Sequence, residues 1–374
     1  MVKNKGFLAI GNFDSNVGYA WKLMESFWVH IHQQLKPSGY NPFVCYPSIS
    51  TIPESLMQAN FSVHKINFEG NNFLNLIKQI NFIWKNNIKI IYFTDFNTYD
   101  FKYLFYRIVG VQKIIIHDHS PGTRSSPSHF KFKLKKFIHK LSWICADGCF
   151  AVSPYVAERM RLINGVPEHK IFCVTNGIPF FQDYTLNKVA NLNKVSIISV
   201  ARATYYKGID FAIKVIAQLV RKNPELDITY TLYGDGPDLE SLKKLSLELN
   251  IFNHVIFAGK IDDIPEKLMH ADIAFHPSRG EAMSLAILEY MRAELPVVVS
   301  SNPSVSSFLT DQYDALIYEE NSIESAANSL QQLMDSIDHR RSIGINAKNA
   351  VKNKFNDSLM YEKLSFSIDQ VLKR

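Results

Sequence analysis

Short apolar runs alternate with amphipathic segments along the whole chain, and this rhythm limits the possible folds more tightly than any other feature. In the first half "GFLAIG", "NPFVCYP", "IKIIYFTD", "QKIIIHDH" and "GCFAVS" read as buried strands, each rich in β-formers and bounded by turn or polar residues. Helical spacing intervenes in "YAWKLMESFWVHIHQQL" and "FLNLIKQINFIWKNN". The second half repeats the pattern: "VSIISVAR", "DITYTLYGDG", "HVIFAG", "ADIAFHPS", "LPVVVSS" and "DALIYE" read as strands, and "GIDFAIKVIAQLVRKNP" and "DLESLKKLSLELNI" as helices. Such alternation implies parallel sheets with right-handed crossovers. The expected class is α/β, with two Rossmann-like, doubly wound domains over residues 1–180 and 194–354 facing a central cleft. The polar stretch 180–194 is the natural linker, and the terminal amphipathic helix, 355–374, is expected to pack back on either domain. Ligands of doubly wound sheets bind beyond the carboxyl ends of the strands. The residues that follow each strand are therefore where chemistry is sought.

Composition narrows the class. The chain of 374 residues is 47% hydrophobic and 20% charged, enough to bury two cores. No apolar run approaches the roughly 18 residues of a membrane span. The N-terminal run reaches only Ile10 before polar residues and reads as a first buried strand, not a signal segment. Of the four cysteines only Cys145 and Cys149 are close, with no histidine at a zinc-like spacing. A reduced, cytoplasmic compartment is expected. Charge is uneven: residues 1–180 carry 20 Lys+Arg against 10 Asp+Glu, and residues 181–374 carry 21 against 25. The basic half favours an anionic partner such as a membrane, a nucleic acid or a phosphorylated substrate.

Within this frame the stretch "SRGEAMSLAILEYMRAELPVVVSS" is out of place. Glu281 falls in the loop after a strand, and Glu289 lies eight positions on, between Leu288 and Tyr290, inside an apolar helical run. Met283, Ser284 and Leu285 would open that helix and offer free N–H groups to an anion. A carboxylate one turn further in can reach a polar group of the same ligand. The plain alternative is a pair of exposed helix carboxylates. Arg202 follows another strand, with Lys207 and Gly208 opening a helix; that is either an anion site or a solvated basic turn. Gly234 begins "GDG", a weak dinucleotide signal without a third glycine and equally an ordinary strand-to-helix turn. His117, Asp118 and His119 follow a strand of the first half. A metal reading of them needs a third ligand, and none is evident.

These segments together resemble the retaining glycosyltransferases of family 4, which have the GT-B fold. The resemblance rests on Glu-x7-Glu in "EAMSLAILE", on "VARATYYKGID", on "LYGDGPDLESLKKLSLELNIFNHVIFAGKIDDIPEKLMHADIAFHPS" and on "FAVSPYVAERMRLINGVPEHKIFCVTNGI". It is specific over residues 145–300. It departs where Met283-Ser284 lacks the family's glycine and where the N-terminal glycine-rich loop is reduced to Gly18. The resemblance implies that Glu289 hydrogen-bonds the ribose of a nucleotide-sugar donor and that Glu281 lies against the transferred sugar. Arg202 and Lys207 would hold the pyrophosphate. His119, with His117 as second choice, would face the donor sugar. Met283, Ser284, Leu285, Gly18, Gly234, Lys260 and Ile261 would complete the donor's surroundings. No Asp-x-Asp occurs, so the expected charge on the diphosphate is borne by the two cations, with no metal and no cofactor.

The segment "HFKFKLKKFIHKLSW" carries Lys131, Lys133, Lys135, Lys136 and Lys140, with Phe130, Leu134, Phe137, Ile138 and Leu141 on one helical face. It is either a core-facing stripe with a solvated basic back or a helix for an anionic membrane surface. Nucleic acid is not favoured, because the aromatics are not interleaved with the cations. The expectation is a cytoplasmic glycosyltransferase, peripheral on the inner membrane face, that acts on a cell-envelope glycan or glycolipid. The alternatives are a GT-B epimerase, or a sugar-nucleotide-binding subunit without turnover.

Overall fold

The computed structural model describes residues 5–16, 18–70, 72–180, 193–261 and 263–374, without the side chains of residues 19–21. Most of the expected linker, residues 181–192, lies outside them. Two compact units result. The first comprises Met1–Ser120, Arg124–Thr175 and Met360–Arg374; the second comprises Pro121–Thr123 and Asn176–Leu359.

The first unit holds a parallel seven-stranded sheet: β1 (Lys5–Ile10), β2 (Tyr40–Tyr46), β3 (Ser62–Lys65), β4 (Ile88–Thr94), β5 (Lys113–Asp118), β6 (Gly148–Ala151) and β7 (Ile171–Cys173), in the order β3-β2-β1-β4-β5-β6-β7. The reversal of order at β1 and β4 is the doubly wound arrangement. The apolar runs anticipate five of these strands and miss β3 and β7. Both are short edge strands, "SVHK" and "IFC", with no fully buried residue, so neither shows a two-sided apolar run. One core joins Phe7, Phe27 and Trp28 to Tyr46, and Met360, Leu364, Ile368 and Val371 of the last helix (Asp357–Lys373) pack into it.

The second unit holds a parallel six-stranded sheet: β8 (Lys194–Val200), β9 (Asp227–Tyr233), β10 (Val255–Gly259), β11 (Ile273–His276), β12 (Val297–Ser300) and β13 (Leu316–Tyr318), ordered β10-β9-β8-β11-β12-β13. The amphipathic helix Ile209–Lys222 covers it with Ile209, Ile213, Ile216 and Leu219, all buried. The boundary between units falls at Thr175/Asn176, not at 180. Residues 176–179 belong to the second unit because it binds them: Asn176 Nδ2 donates to the Met283 carbonyl at 3.1 Å, and Arg292 Nη1 donates to the Pro179 carbonyl at 2.9 Å.

Candidate functional site

In the second unit three loops leave adjacent carboxyl ends of the sheet, after β8, β9 and β11, and their backbones are bonded together. Ala203 donates its N–H to the Asp235 carbonyl at 3.0 Å, and Asp238 donates to the Ala203 carbonyl at 3.0 Å. Arg279 donates its N–H to the Tyr206 carbonyl at 3.0 Å. Such close approach leaves no space for side chains. A Cβ on Gly208 would lie 2.0 Å from the Pro277 carbonyl oxygen, and one on Gly234 would lie 1.9 Å from that of Ala201; both residues also have positive φ. Gly234 therefore has a structural reason to be glycine, whatever else it does.

This packing brings Lys207 to Glu281. Lys207 ends the short turn Tyr205–Lys207, and the helix proper starts only at Ile209. Its Nζ lies 2.6 Å from Glu281 Oε1. His276, the last residue of β11, brings Nε2 to the same oxygen at 3.0 Å. All three are buried or half-buried, and Glu281 is 7% exposed. Burial alone would raise the Glu281 carboxyl; the charge of Lys207 and the hydrogen bond from His276 outweigh it and hold the group at about 2. The loop is pinned from the other side as well, since Ser304 Oγ accepts the Glu281 N–H at 3.2 Å and Asn302 Nδ2 donates to the Arg279 carbonyl at 3.2 Å. Arg279 is committed to this scaffold. It forms a double hydrogen bond with Asp210, at 2.8 and 2.9 Å, and lies 3.9 Å over the Tyr205 ring.

The helix Leu285–Arg292 begins at Ser284, whose side chain makes no capping bond. The N–H groups of its first turn have no partner further back in the helix and can meet an anion. Met283 and Ser284 are buried, and Leu285 is half-buried. Glu289 is 9% exposed, so the alternative of exposed helix carboxylates is excluded for both glutamates. Tyr290 secures the helix to the sheet by accepting the Val200 N–H at 2.6 Å. Arg202, just beyond β8, is exposed. Lys260 is exposed and Ile261 half-buried after β10, where Gly234 donates its N–H to the Gly259 carbonyl at 2.8 Å.

The remaining expected residues lie in the first unit. Gly18 precedes the helix Tyr19–Leu35 with φ +111°, and a Cβ there would meet nothing within 4 Å. His117 is a core residue, fully buried, whose Nδ1 shares a hydrogen bond with the Tyr92 hydroxyl. His119 packs its ring on Phe27 and His117, at centroid distances of 5.7 and 4.1 Å. Neither of its ring nitrogens has a hydrogen-bond partner among the described residues. Burial pushes the His119 imidazole down to about 3. Its backbone is held by Asp95, which follows β4 at φ +61°: Asp95 Oδ1 accepts the His119 N–H at 2.5 Å, and the Asp95 N–H donates to the His117 carbonyl at 2.9 Å. Burial first, then the neighbouring Asp118 carboxylate, raise Asp95 to about 7. Asp118 itself is paired with Arg159 at 2.8 Å.

Sequence reasoning singled out neither His276 nor Asp95. Each is the polar residue that closes or follows an apolar strand, in "IAFHPS" and "IYFTDFN", and that position was the available signal. Among the described residues no group of three or more His, Cys, Asp or Glu is arranged to hold a metal ion.

The two doubly wound units are those of the GT-B fold, and the chain is a glycosyltransferase. Residues 184–350 match the family model of the glycosyl transferases group 1. The chain is 28% identical to an uncharacterised glycosyltransferase of Methanocaldococcus jannaschii, over 68% of this chain and 67% of the relative. It is 28% identical to the UDP-Gal:alpha-D-GlcNAc-diphosphoundecaprenol alpha-1,3-galactosyltransferase of Escherichia coli, over 42% of this chain and 41% of the relative. The match to that second relative thus spans less than half of its length. Among solved structures, HepE of Anabaena in complex with UDP superposes with a TM-score of 0.72 at 17% identity, covering 98% of this chain and 99% of that one.

Proposed function

We propose that the chain is a retaining glycosyltransferase of family 4 that moves a sugar from a nucleotide-sugar donor to a cell-envelope glycan or glycolipid. The observation that carries this reading is the Lys207–Glu281 pair beside an uncapped helix start with Glu289 buried in it. Glycosyl transfer builds negative charge on the leaving diphosphate and positive charge on the sugar ring. Lys207, Arg202 and the N–H groups at Met283, Ser284 and Leu285 answer the first, and the ionised Glu281 answers the second. Glu289 takes the ribose hydroxyls. The backbone around Gly234, Gly259, Lys260 and Ile261 takes the base. His119, neutral and with neither ring nitrogen partnered among the described residues, suits a sugar hydroxyl; His117 supports its ring, and Gly18 leaves room at the helix start. The solved HepE structure contains UDP, and the Escherichia coli relative is named for a UDP-sugar donor and a diphosphoundecaprenol acceptor, which supports this choice of donor and acceptor classes. In this reading the two cations replace a divalent metal. Donor hydrolysis by the purified protein tests the reaction, and chelator should leave it unchanged. Activity lost to chelator and restored by magnesium or manganese would overturn the metal-free assignment.

We propose as partner an anionic membrane surface, reached from the cytoplasmic side through residues 130–141. The helix His129–Ile138 has no buried residue: Phe130 is 77% exposed, Leu134 48% and Phe137 59%. Three of the five stripe residues are thus exposed, while Ile138 and Leu141 are half-buried, so the outer part of the apolar face is open. Between Asp118 and Asp147 the sequence has no acidic residue. No helix among the described residues is long and apolar enough to cross a membrane. Lys135 is half-buried and donates to the Ile163 carbonyl at 2.9 Å, so the exposed cations are Lys131, Lys133, Lys136 and Lys140. An anionic leaflet attracts each nearby lysine by about 1 kcal/mol. Replacing these four by Gln should abolish sedimentation with phosphatidylglycerol vesicles at about 0.1 M salt while donor hydrolysis persists. Equal vesicle binding by both proteins would remove the membrane from this proposal.

A further inference from the structure

His276 stands outside every role assigned above, yet it is built into the site. It closes β11, the strand between β8 and β12, and is 3% exposed. Its Nε2 meets Glu281 Oε1 at 3.0 Å, and Lys207 Nζ meets that same oxygen at 2.6 Å. Both hydrogen bonds to the carboxylate thus fall on one oxygen, and among the described residues none falls on Oε2. An ionised carboxylate only accepts hydrogen bonds, so the proton of the His276 bond lies on Nε2. The imidazole is itself backed by the Tyr290 ring, edge-on at 6.2 Å, and Tyr290 is fixed to Val200.

We infer that His276 is a positioning residue for the transfer reaction: it fixes the Glu281 carboxylate through Oε1, so that Oε2 faces the substrate while Lys207 turns to the diphosphate. The inference rests on the proposed roles of Glu281 and Lys207. Its physical basis is the sharing of one oxygen. Without His276, Lys207 alone would hold Glu281 in the free protein. Once the ammonium is drawn toward two phosphates, a carboxylate tethered only to it moves with it. An imidazole N–H anchored at the end of a sheet strand stays in place when the ammonium moves. Displacement of a reacting or stabilising group by about 1 Å costs on the order of 10² in rate.

The test compares three variants at saturating donor. His276→Leu removes the N–H, His276→Gln keeps one at a similar reach, and His276→Asn keeps a polar group too short to reach Oε1. Turnover should fall about 10- to 100-fold in Leu and Asn and stay within about threefold of wild type in Gln. UDP affinity by calorimetry should change little in all three. A purely structural histidine would instead lower the melting temperature and act alike in Gln and Asn. If Leu does not fold, the Gln–Asn pair decides. Equal turnover in those two, or full turnover in a folded Leu variant, overturns the inference. Glu281→Gln and Lys207→Ala, run in parallel, separate this from failure of the functional reading: if those keep full turnover, the reading itself fails, whatever His276 does.

Discussion

The two units place polar clusters at equivalent positions, the carboxyl ends of parallel strands, and treat charge in opposite ways. In the second unit Glu281 is buried but meets a lysine and a histidine, and its carboxyl is held at about 2, fully ionised at neutral pH. In the first unit Asp95 and His119 are half-buried, and the hydrogen bond from the His119 N–H does not offset the desolvation of Asp95. Burial drives each toward its neutral form, the carboxyl up to about 7 and the imidazole down to about 3. His117 is driven well down for the same reason, burial first and then His119. The same topology therefore supplies one site of fixed charges and one of neutral hydrogen-bonding groups. Fixed charges suit stabilisation of a developing ion. Neutral groups suit recognition of sugar hydroxyls, which carry no charge to repay desolvation.

The largest effects should come from breaking the fixed charges. Lys207→Ala and Arg202→Ala are each expected to lower turnover about 10²- to 10³-fold, because contacts to the leaving diphosphate strengthen as its charge grows. Either variant with full turnover at saturating donor would detach that residue from the diphosphate. The structure adds a distinction between them. Lys207→Ala also leaves Glu281 buried with His276 alone, whereas Arg202 is exposed and its loss leaves no carboxylate behind. The melting temperature should fall for Lys207→Ala, recover in Lys207→Ala/Glu281→Gln, and hardly change for Arg202→Ala.

Glu289→Ala should act more weakly and on a different constant. Hydrogen bonds to ribose are present in ground and transition states alike, so KM should rise roughly 10- to 100-fold with a smaller change in kcat. Unchanged nucleotide affinity in a calorimetric titration would refute the ribose assignment. This variant sharpens the contrast within the second unit, between a carboxylate proposed to bind the donor and one proposed to act on the reaction.

The sequence displays these two clusters unequally, for physical reasons. All six strands of the second unit show as apolar runs; those covered on both faces, such as β11 and β12, must be apolar throughout, and the edge strand β10 is apolar although Ile256 is exposed. Glu289 stands out because a carboxylate between Leu288 and Tyr290 contradicts its surroundings, and Glu281 stands out by its Glu-x7-Glu spacing to it. The partner of Glu281 does not stand out. Lys207 lies 74 residues away, and only the folded sheet brings the two together. His276 and Asp95 look like ordinary polar strand ends until their hydrogen bonds are known. Amphipathic spacing in His129–Ile138 revealed an apolar face, but whether other elements cover that face is decided by tertiary packing alone.

The smallest expected effect tests the neutral cluster directly. In the folded chain Asp95 keeps its proton up to about pH 7, whereas in the unfolded chain it releases it near about 4. Between those values the folded state holds the extra proton, so this residue makes stability fall as pH rises. The lowered His117 and His119 work in the opposite sense, costing stability as pH falls below about 6.5, so the wild-type profile alone cannot isolate Asp95. Asp95→Asn does isolate it. Asparagine keeps an Oδ1 acceptor for the His119 N–H and tolerates the φ of +61°, but it cannot ionise. The melting temperature of the variant minus that of wild type should be near zero at pH 4, grow through pH 5–7 and level off above pH 7. A difference that does not depend on pH would mean that Asp95 is ionised throughout, and the contrast between the two strand-end clusters would then be one of position only.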